Sequence, residues 1–225
     1  MGDNEDNANG KTVLIVDDHP IMRQGLAQLI AQEPGLTVCG EAEDAHGALQ
    51  AIGQLQPDVA IVDIALKEGN GLELIKDIKI RYPKLAVLVL SMYDEAIYAE
   101  RCLRAGARGY VTKAEASTKV IQALREVLRG GVYVSQQMAS KMLRKLVSGD
   151  SDLDVFPMDR LSDREFQVFE LIGQGLQTRE IAKKLSLSVK TVDAHRENIK
   201  KKLNLGSATE LLIYAVRWVQ LDRRS

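Results

Sequence analysis

Hydrophobic and polar positions between residues 11 and 130 alternate between two patterns. Short apolar runs rich in β-branched residues occupy 12–16, 37–39, 59–62, 86–90 and 109–111. The stretches between these runs carry apolar residues at helical spacing, as Ile21, Leu26 and Ile30 show. This regular alternation predicts βαβ units built around a parallel sheet.

Five such units fit into about 120 residues, which is the size of an α/β domain with a flavodoxin-like, doubly wound, five-stranded parallel sheet. The expected strand order is 2-1-3-4-5. A last helix is predicted from about 116 to 129, and Gly130 and Gly131 end it. The first domain is therefore expected to span residues 11–131.

The pattern after Pro157 is purely helical. Capping boxes at Ser162–Glu165 and Ser207–Glu210 predict two helix starts, and two shorter helical stretches lie between them at about 178–185 and 189–203. These four helices predict a small all-α domain over residues 158–225. The intervening residues 132–157 are expected to be a linker that contains a helix at about 135–147 and the polar stretch 148–154.

Charge divides the chain in the same way. Residues 1–154 hold 17 basic against 22 acidic residues, whereas residues 155–225 hold 13 against 9, a net charge of +4. An acidic first part and a basic second part indicate two domains with different partners. No apolar run reaches the ~18 residues of a membrane span, which predicts no membrane partner. Two scattered cysteines are expected to be reduced in a cytoplasmic protein.

Three carboxylates follow strands that are expected to be neighbours. Asp17 and Asp18 end the first strand, and Asp63 ends the third. In a 2-1-3-4-5 sheet, ligands bind at the carboxyl ends of these two strands. Each aspartate alone is equally compatible with capping the next helix. Together they predict a Mg²⁺ site, because Mg²⁺ prefers oxygen ligands and offsets the repulsion between carboxylates.

Two further strand ends complete a site for a phosphoryl group. Ser91 ends the fourth strand, and Lys113 follows the fifth. A metal, a hydroxyl and an ammonium group together neutralise phosphoryl oxygens. Asp63 is the candidate nucleophile, which would form an aspartyl phosphate.

With these five residues, the region 11–130 resembles the receiver domain of two-component response regulators. The resemblance implies that Asp63 is the phosphoacceptor and that a sensor histidine kinase is the donor. It also implies that the backbone carbonyl of Ala65 joins Asp17, Asp18 and Asp63 in holding Mg²⁺. Tyr110 matches the aromatic residue that moves together with the hydroxyl at Ser91. Lys67 and Ala114 stand where many receivers have proline, and Met92 is bulkier than usual after the hydroxyl.

Residues 178–203 show a helix-turn-helix pattern. Ile181, Ala182 and Leu185 form the apolar face of the first helix, and Val192, Ile199 and Leu203 form that of the second. The opposite face of the second helix carries cations and short polar groups, which suits the major groove of double-stranded DNA. Its members are Lys190, Asp193, Ala194, Glu197, Asn198 and Lys201. We expect the two acids to select between bases, since a carboxylate accepts from cytosine N4 but repels phosphate.

The region from Leu161 to Trp218 resembles the LuxR-type DNA-binding domain, and with a receiver it gives a regulator of the NarL/FixJ type. The resemblance implies that the 189–203 helix reads base edges. Ser188 and Thr191 are expected to contact phosphates, and Thr178 to cap a helix near the DNA backbone. The 207–219 helix is expected to form a homodimer contact through Leu211, Leu212 and Ala215.

The sequence thus predicts a transcription factor that phosphorylation of Asp63 switches. It is not expected to be an enzyme beyond its own phosphotransfer and dephosphorylation. Two alternatives remain open at this point. One is a phosphorylation-independent DNA binder with a relic receiver. The other is a Mg²⁺-dependent aspartyl-phosphate phosphatase, although Ala65 stands where such hydrolases generally carry a second aspartate.

Overall fold

A computed structural model describes residues 10–66, 70–148, 157–185 and 187–222, without the side chains of residues 145–148, 159, 221 and 222. The chain divides into two compact units, Met1–Ala139 and Ser140–Ser225. Lys67 and residues 149–154 of the predicted linker lie outside the described ranges.

The first unit contains a five-stranded parallel sheet in the order β2-β1-β3-β4-β5, as predicted. The strands are β1 (Lys11–Val16), β2 (Leu36–Ala42), β3 (Val59–Val62), β4 (Ala86–Ser91) and β5 (Gly109–Thr112). The crossover helices are α1 (Pro20–Ala31), α2 (Ala45–Leu55), α3 (Gly71–Arg81), α4 (Glu95–Ala105) and α5 (Ala116–Leu128). A further helix, α6 (Gln136–Ser148), lies within one residue of its predicted bounds, and the division between the two units falls within it.

The core of this unit lies between the sheet and its covering helices. One cluster joins strand residues such as Ile15, Ile61 and Leu88 to Ile30 of α1 and Leu124 of α5. All five side chains are at most 1 % exposed. Each such aliphatic side chain stabilises the fold by about 1.5–3 kcal/mol through burial. The sheet is therefore a rigid base for the residues that follow its strands.

The second unit contains, after α6, the helices α7 (Asp163–Gly173), α8 (Thr178–Lys184), α9 (Val189–Leu203) and α10 (Ala208–Asp222). Phe166 and Phe169 of α7 pack edge-on against Trp218 of α10, with centroid distances of 5.3 and 5.7 Å. Helices α7 and α10 approach closely at Gly173, where an added Cβ would lie 2.5 Å from the Ala215 carbonyl oxygen. The α8–α9 pair is the predicted helix-turn-helix.

Helix capping follows the sequence in part. Ser162 and Glu165 form the predicted capping box at the start of α7. The box predicted at α10 is only half formed. Ser207 accepts a hydrogen bond from the Glu210 N–H, but the Glu210 carboxylate accepts from Gly206 instead of Ser207. Within the described ranges, no helix combines the length and the apolar character needed to cross a membrane.

Candidate functional site

Asp63 lies at the centre of the candidate site. It directly follows β3, and its side chain is only 1 % exposed. Its N–H donates to the carbonyl of Val16 at the end of β1 (2.8 Å), which holds the two strand ends together. Its Oδ1 accepts from the N–H of Ala65 (3.0 Å). The sheet therefore fixes this carboxylate at the switch point between β1 and β3, as predicted.

The structure brings the three predicted carboxylates together. Asp17, Asp18, Asp63 and His19 each offer a ligand atom, and these atoms all lie within 4.8 Å of one another. His19 was missed by the sequence reasoning, although its position directly after the acidic pair was a usable signal. Its Nδ1 lies 2.7 Å from Asp18 Oδ1 and 3.2 Å from Asp17 Oδ1.

Lys113 lies between two of these carboxylates. Its Nζ is 2.6 Å from Oδ2 of Asp63 and 2.7 Å from Oδ2 of Asp17, and all three side chains are at most 3 % exposed. Burial raises the pKa of Asp63, and the hydrogen bond and charge of Lys113 offset only part of this effect. Burial alone would lower the pKa of Lys113, but the two carboxylates outweigh it and raise that pKa.

Ser91 and Tyr110 converge on one residue that the sequence reasoning did not identify. Ser91 ends β4 fully buried, and its Oγ accepts from the N–H of Tyr93 (3.2 Å). The Tyr110 hydroxyl donates to the carbonyl of the same Tyr93 (2.8 Å). The Tyr93 ring in turn stacks on Tyr98 of α4, with a centroid distance of 4.5 Å. The loop after β4 therefore connects the predicted hydroxyl and the predicted aromatic residue.

The carboxylate cluster fits a divalent cation by its chemistry. Carboxylate oxygens are the ligands that Mg²⁺ prefers. Oδ2 of Asp17 and Oδ1 of Asp18 are buried, and no hydrogen bond of acceptable geometry reaches either atom within the described part of the chain. Among the residues that the structure describes, Asp17 Oδ2 has its ion contact with Lys113, and Asp18 Oδ1 its contact with His19. A cation is a suitable partner for such oxygens, because buried charge is costly without compensation.

A second candidate surface lies on α9. Its face away from the apolar core carries the six predicted residues Lys190, Asp193, Ala194, Glu197, Asn198 and Lys201, all of them exposed. The opposite face buries Val192 and Ile199. Ser188 is the N-cap and accepts from the N–H of Thr191 (3.0 Å).

Capping of α8 differs from the prediction. Thr178 is the first residue of α8, not its cap, and Gln177 is the N-cap. The reason is that the Gln177 N–H donates to the Glu180 carboxylate (2.7 Å). The helix therefore starts one residue earlier than it would with Thr178 as its cap. Thr178 instead receives a long hydrogen bond from Arg196 of α9 (3.5 Å).

The predicted dimer contact on α10 needs correction. Leu211 and Ala215 are 0 % exposed, because they pack inside the helical unit. They are therefore not available to a second copy of the chain. Leu212 is 44 % exposed, and its neighbour Ile213 is 47 % exposed. Of the three predicted residues, only Leu212 is exposed, and Ile213, which was not predicted, is exposed beside it.

Comparisons with known proteins agree with this two-unit arrangement. Residues 13–125 match the family model of the response regulator receiver domain, and residues 159–215 match that of the bacterial regulatory proteins of the luxR family. The chain is 36 % identical to the oxygen regulatory protein NreC of Staphylococcus carnosus over 93 % of its own length and 99 % of that protein. It is 35 % identical to the response regulator GacA of Pseudomonas aeruginosa, over 95 % and 99 % of the two chains.

Solved structures give the same assignment. RcsB of Salmonella typhimurium has a TM-score of 0.71 at 31 % identity, with 93 % of this chain and 98 % of that one covered. A second structure is RcsB of Salmonella enterica serovar Typhimurium bound to promoter rprA in the presence of the phosphomimetic BeF3-. It has a TM-score of 0.68 at 30 % identity, with 92 % of this chain and 99 % of that one covered. The chain therefore belongs to the response regulators, as a transcription factor with a receiver domain and a LuxR-type DNA-binding domain.

Proposed function

We propose that Asp63 accepts a phosphoryl group from a sensor histidine kinase and that this event controls DNA binding by α9. The observation that carries the proposal is the convergence of Asp17, Asp18 and Lys113 around the buried Asp63 carboxylate. A buried nucleophile surrounded by charges of both signs is costly for folding and suits a reaction that moves negative charge.

The roles follow from the contacts. An Asp63 oxygen attacks phosphorus, the P–O or P–N bond to the donor breaks, and the leaving group takes the bonding electrons. Lys113, already 2.6 Å from Asp63, neutralises the new phosphoryl oxygens, and the Ser91 hydroxyl donates to one of them. Asp17, Asp18, Asp63 and the Ala65 carbonyl would hold Mg²⁺, which supplies Lewis-acid stabilisation of the same oxygens. We infer that the receiver catalyses only this transfer and the later hydrolysis of its own aspartyl phosphate.

The contacts of Tyr93 support a connection within the receiver from the residues around Asp63 to Tyr110 and α4. Turning the Ser91 side chain so that its hydroxyl donates to the phosphoryl group would move its Oγ relative to the Tyr93 N–H, from which that oxygen accepts. Tyr93 also accepts from the Tyr110 hydroxyl and stacks on Tyr98 of α4. A shift of this loop therefore changes the packing of Tyr110 and α4 together. Such a linked set of contacts is the two-state element that a phosphorylation switch needs.

For the second unit, we propose that α9 enters the major groove of double-stranded DNA in the cytoplasm. Ser188 and Thr191 at its start would contact phosphates, and Thr178 would lie near the DNA backbone. Lys190 and Lys201 supply exposed cations for the same backbone. A homodimer would double these contacts, and the exposed Leu212 on α10 is the proposed contact. The proposed boundaries are 11–131 for the receiver, 132–157 for the linker and 158–225 for the DNA-binding domain.

Two of the exposed residues on α9 are acidic, and the structure constrains one of them. The Glu197 carboxylate lies 2.9 Å from Lys200, and this hydrogen bond lowers the pKa of Glu197, so it is ionised at neutral pH. We propose that Asp193 and Glu197 discriminate between bases. Selection of binding sites from a randomised DNA library tests this, because Glu197→Ala should relax the preference at one position. An unchanged preference contradicts the proposal.

Intact-mass spectrometry tests the receiver chemistry. Incubation with Mg²⁺ and a small-molecule phosphodonor should add one phosphoryl group to the wild-type chain and none to Asp63→Asn. Asp44→Asn is a matched control, since Asp44 lies at the same sheet edge but caps α2, a role that asparagine retains. An adduct on Asp63→Asn, or its loss in Asp44→Asn alone, contradicts the proposal.

Charge-matched variants test the DNA contact. Lys201→Gln should weaken DNA binding and reduce the slope of log affinity against log salt concentration by about 1. Lys84→Gln removes an equal charge from an exposed position of the receiver and should change neither quantity. Equal effects of the two variants would indicate a response to net charge instead of a contact by α9.

A further inference from the structure

One arginine connects α1 and β2 to the backbone of the acidic pair. The Arg23 Nη1 donates to the carbonyl oxygen of Asp17 (2.6 Å), and its Nε donates to a Glu41 carboxylate oxygen (3.0 Å). The Arg23 side chain is only 15 % exposed. The guanidinium therefore uses two of its donors at once, one on the loop after β1 and one on β2.

These bonds complete the restraint of Asp17 on three sides. Its N–H donates to the carbonyl of Ala42 on β2 (3.1 Å), and its Oδ1 accepts from the N–H of His19 (2.9 Å). Arg23 holds the remaining backbone group, the carbonyl. With all three bonds in place, the peptide between Asp17 and Asp18 cannot rotate without breaking one of them. The direction in which the Asp17 side chain leaves the backbone is thus fixed, and so is the peptide plane that leads into Asp18.

We propose that Arg23, oriented by Glu41, is a positioning residue that sets the geometry of Asp17 and Asp18 for Mg²⁺. The inference rests on the proposed Mg²⁺ site. A planar guanidinium donates in two fixed directions, whereas an ammonium group is a point charge without this geometry. Partners that orient metal ligands in this indirect way typically contribute about 10–100-fold to metal affinity.

Two simpler roles for Arg23 predict different results. If Arg23 acts only through its charge, its removal should strengthen Mg²⁺ binding, because a nearby cation repels Mg²⁺. If it only ties α1 to β2, its removal should lower the free energy of unfolding and leave Mg²⁺ affinity unchanged. Arg23 and Glu41 line an open cleft of about 320 Å³, so water can enter where either side chain is shortened.

Calorimetric titration with Mg²⁺ alone, without a phosphodonor, separates these roles. Arg23→Lys keeps the charge and loses the geometry, and we expect its Kd for Mg²⁺ to rise roughly 10-fold. Glu41→Gln should raise Kd in the same direction by a smaller factor. Arg125→Lys is the matched control, because Arg125 pairs with Glu33 (2.8 Å) in the same unit without contacting the site. Its Kd should equal that of the wild type.

An unchanged Kd in Arg23→Lys overturns the inference, and so does tighter binding in Arg23→Gln. A fall in the free energy of unfolding without a change in Kd also overturns it. Because the readout is Mg²⁺ binding, it is independent of the phosphoryl chemistry. Wild-type protein that binds Mg²⁺ but gains no phosphoryl group contradicts the proposed function alone.

Discussion

Replacing Gly71 by alanine should disturb the candidate phosphoacceptor directly. Gly71 is the first residue of α3, and its N–H donates to the carbonyl of Ile64 (3.1 Å). A Cβ added there would lie 2.2 Å from the carbonyl oxygen of Asp63 and 2.6 Å from Cα of Ile64. Both atoms belong to the backbone that carries the Asp63 side chain, so no rotation of a side chain can relieve the contact.

The size of the disturbance follows from these distances. Real Cβ atoms essentially never come closer than 3.0 Å to such a neighbour, so the backbone at Asp63 or the start of α3 must move by at least 0.8 Å. Overpacking of this kind costs about 1–3 kcal/mol of folding free energy. A misplacement of about 1 Å at a reacting group costs roughly 100-fold in rate. We therefore expect Gly71→Ala to fold with reduced stability and to accept phosphoryl groups about 100 times more slowly.

Gly25→Ala is the matched control. Gly25 also lies in a helix of the receiver, α1, but an added Cβ would have no heavy atom within 4 Å. Alanine is favoured over glycine in a helix interior by about 0.5–1 kcal/mol. Gly25→Ala should therefore raise the urea midpoint and leave the phosphorylation rate at the wild-type value.

Urea unfolding followed by circular dichroism gives the stabilities, and intact mass against time with Mg²⁺ and a small phosphodonor gives the rates. Wild-type rate and stability in Gly71→Ala would refute the reasoning. So would a rate loss of similar size in Gly25→Ala, since the effect would then not come from the close contact at Asp63.

Two further predictions concern the helical unit, where Trp218 is the chain's single tryptophan and reports unfolding by its fluorescence. Burial tends to raise the pKa of Glu165, but the hydrogen bonds from Lys202 (2.6 Å) and Ser162 outweigh burial and lower that pKa. The charged form of Glu165 therefore stabilises the fold above about pH 4.5, and this contribution is lost as the pH falls through the lowered pKa. Glu165→Gln should therefore lower the free energy of unfolding in urea by about 1 kcal/mol at neutral pH and by less at about pH 3. An equal loss at both pH values would contradict the stabilising role of the charged Glu165. Leu211→Ala should lower the free energy of unfolding by about 2–5 kcal/mol, because it leaves a cavity. Leu212→Ala should lower it by under about 0.5 kcal/mol and should weaken self-association in sedimentation velocity. The reverse order of stabilities would contradict the burial of Leu211 and the exposure of Leu212 on α10.

Much of the fold could be predicted because its signals are local. Apolar runs that end in aspartate, serine or lysine mark strand ends, and the parallel topology then requires those ends to share one edge. The bounds of α9, Val189–Leu203, were also predicted correctly, since Ser188 caps its start and the apolar spacing is regular.

The features that were missed depend on packing across the chain. Helix α10 is apolar on more than one face, and its packing within the helical unit, against α7 and α9, decides that Leu211 is buried and Leu212 exposed. The role of Arg23 needs β2 beside α1, because its partner Glu41 lies 18 residues away. Tyr93 was missed because its backbone groups make the bonds, and backbone contacts leave no pattern in the sequence.

Chemical localisation of the phosphoryl group tests the central claim most directly. Borohydride reduces an aspartyl phosphate to homoserine, which peptide fragmentation in a mass spectrometer assigns to one residue. After phosphorylation with Mg²⁺ and a small phosphodonor, the account predicts homoserine at position 63 and at no other aspartate. Homoserine at Asp17 or Asp18 instead, or an adduct on the wild-type chain that leaves Asp63 unmodified, would contradict it.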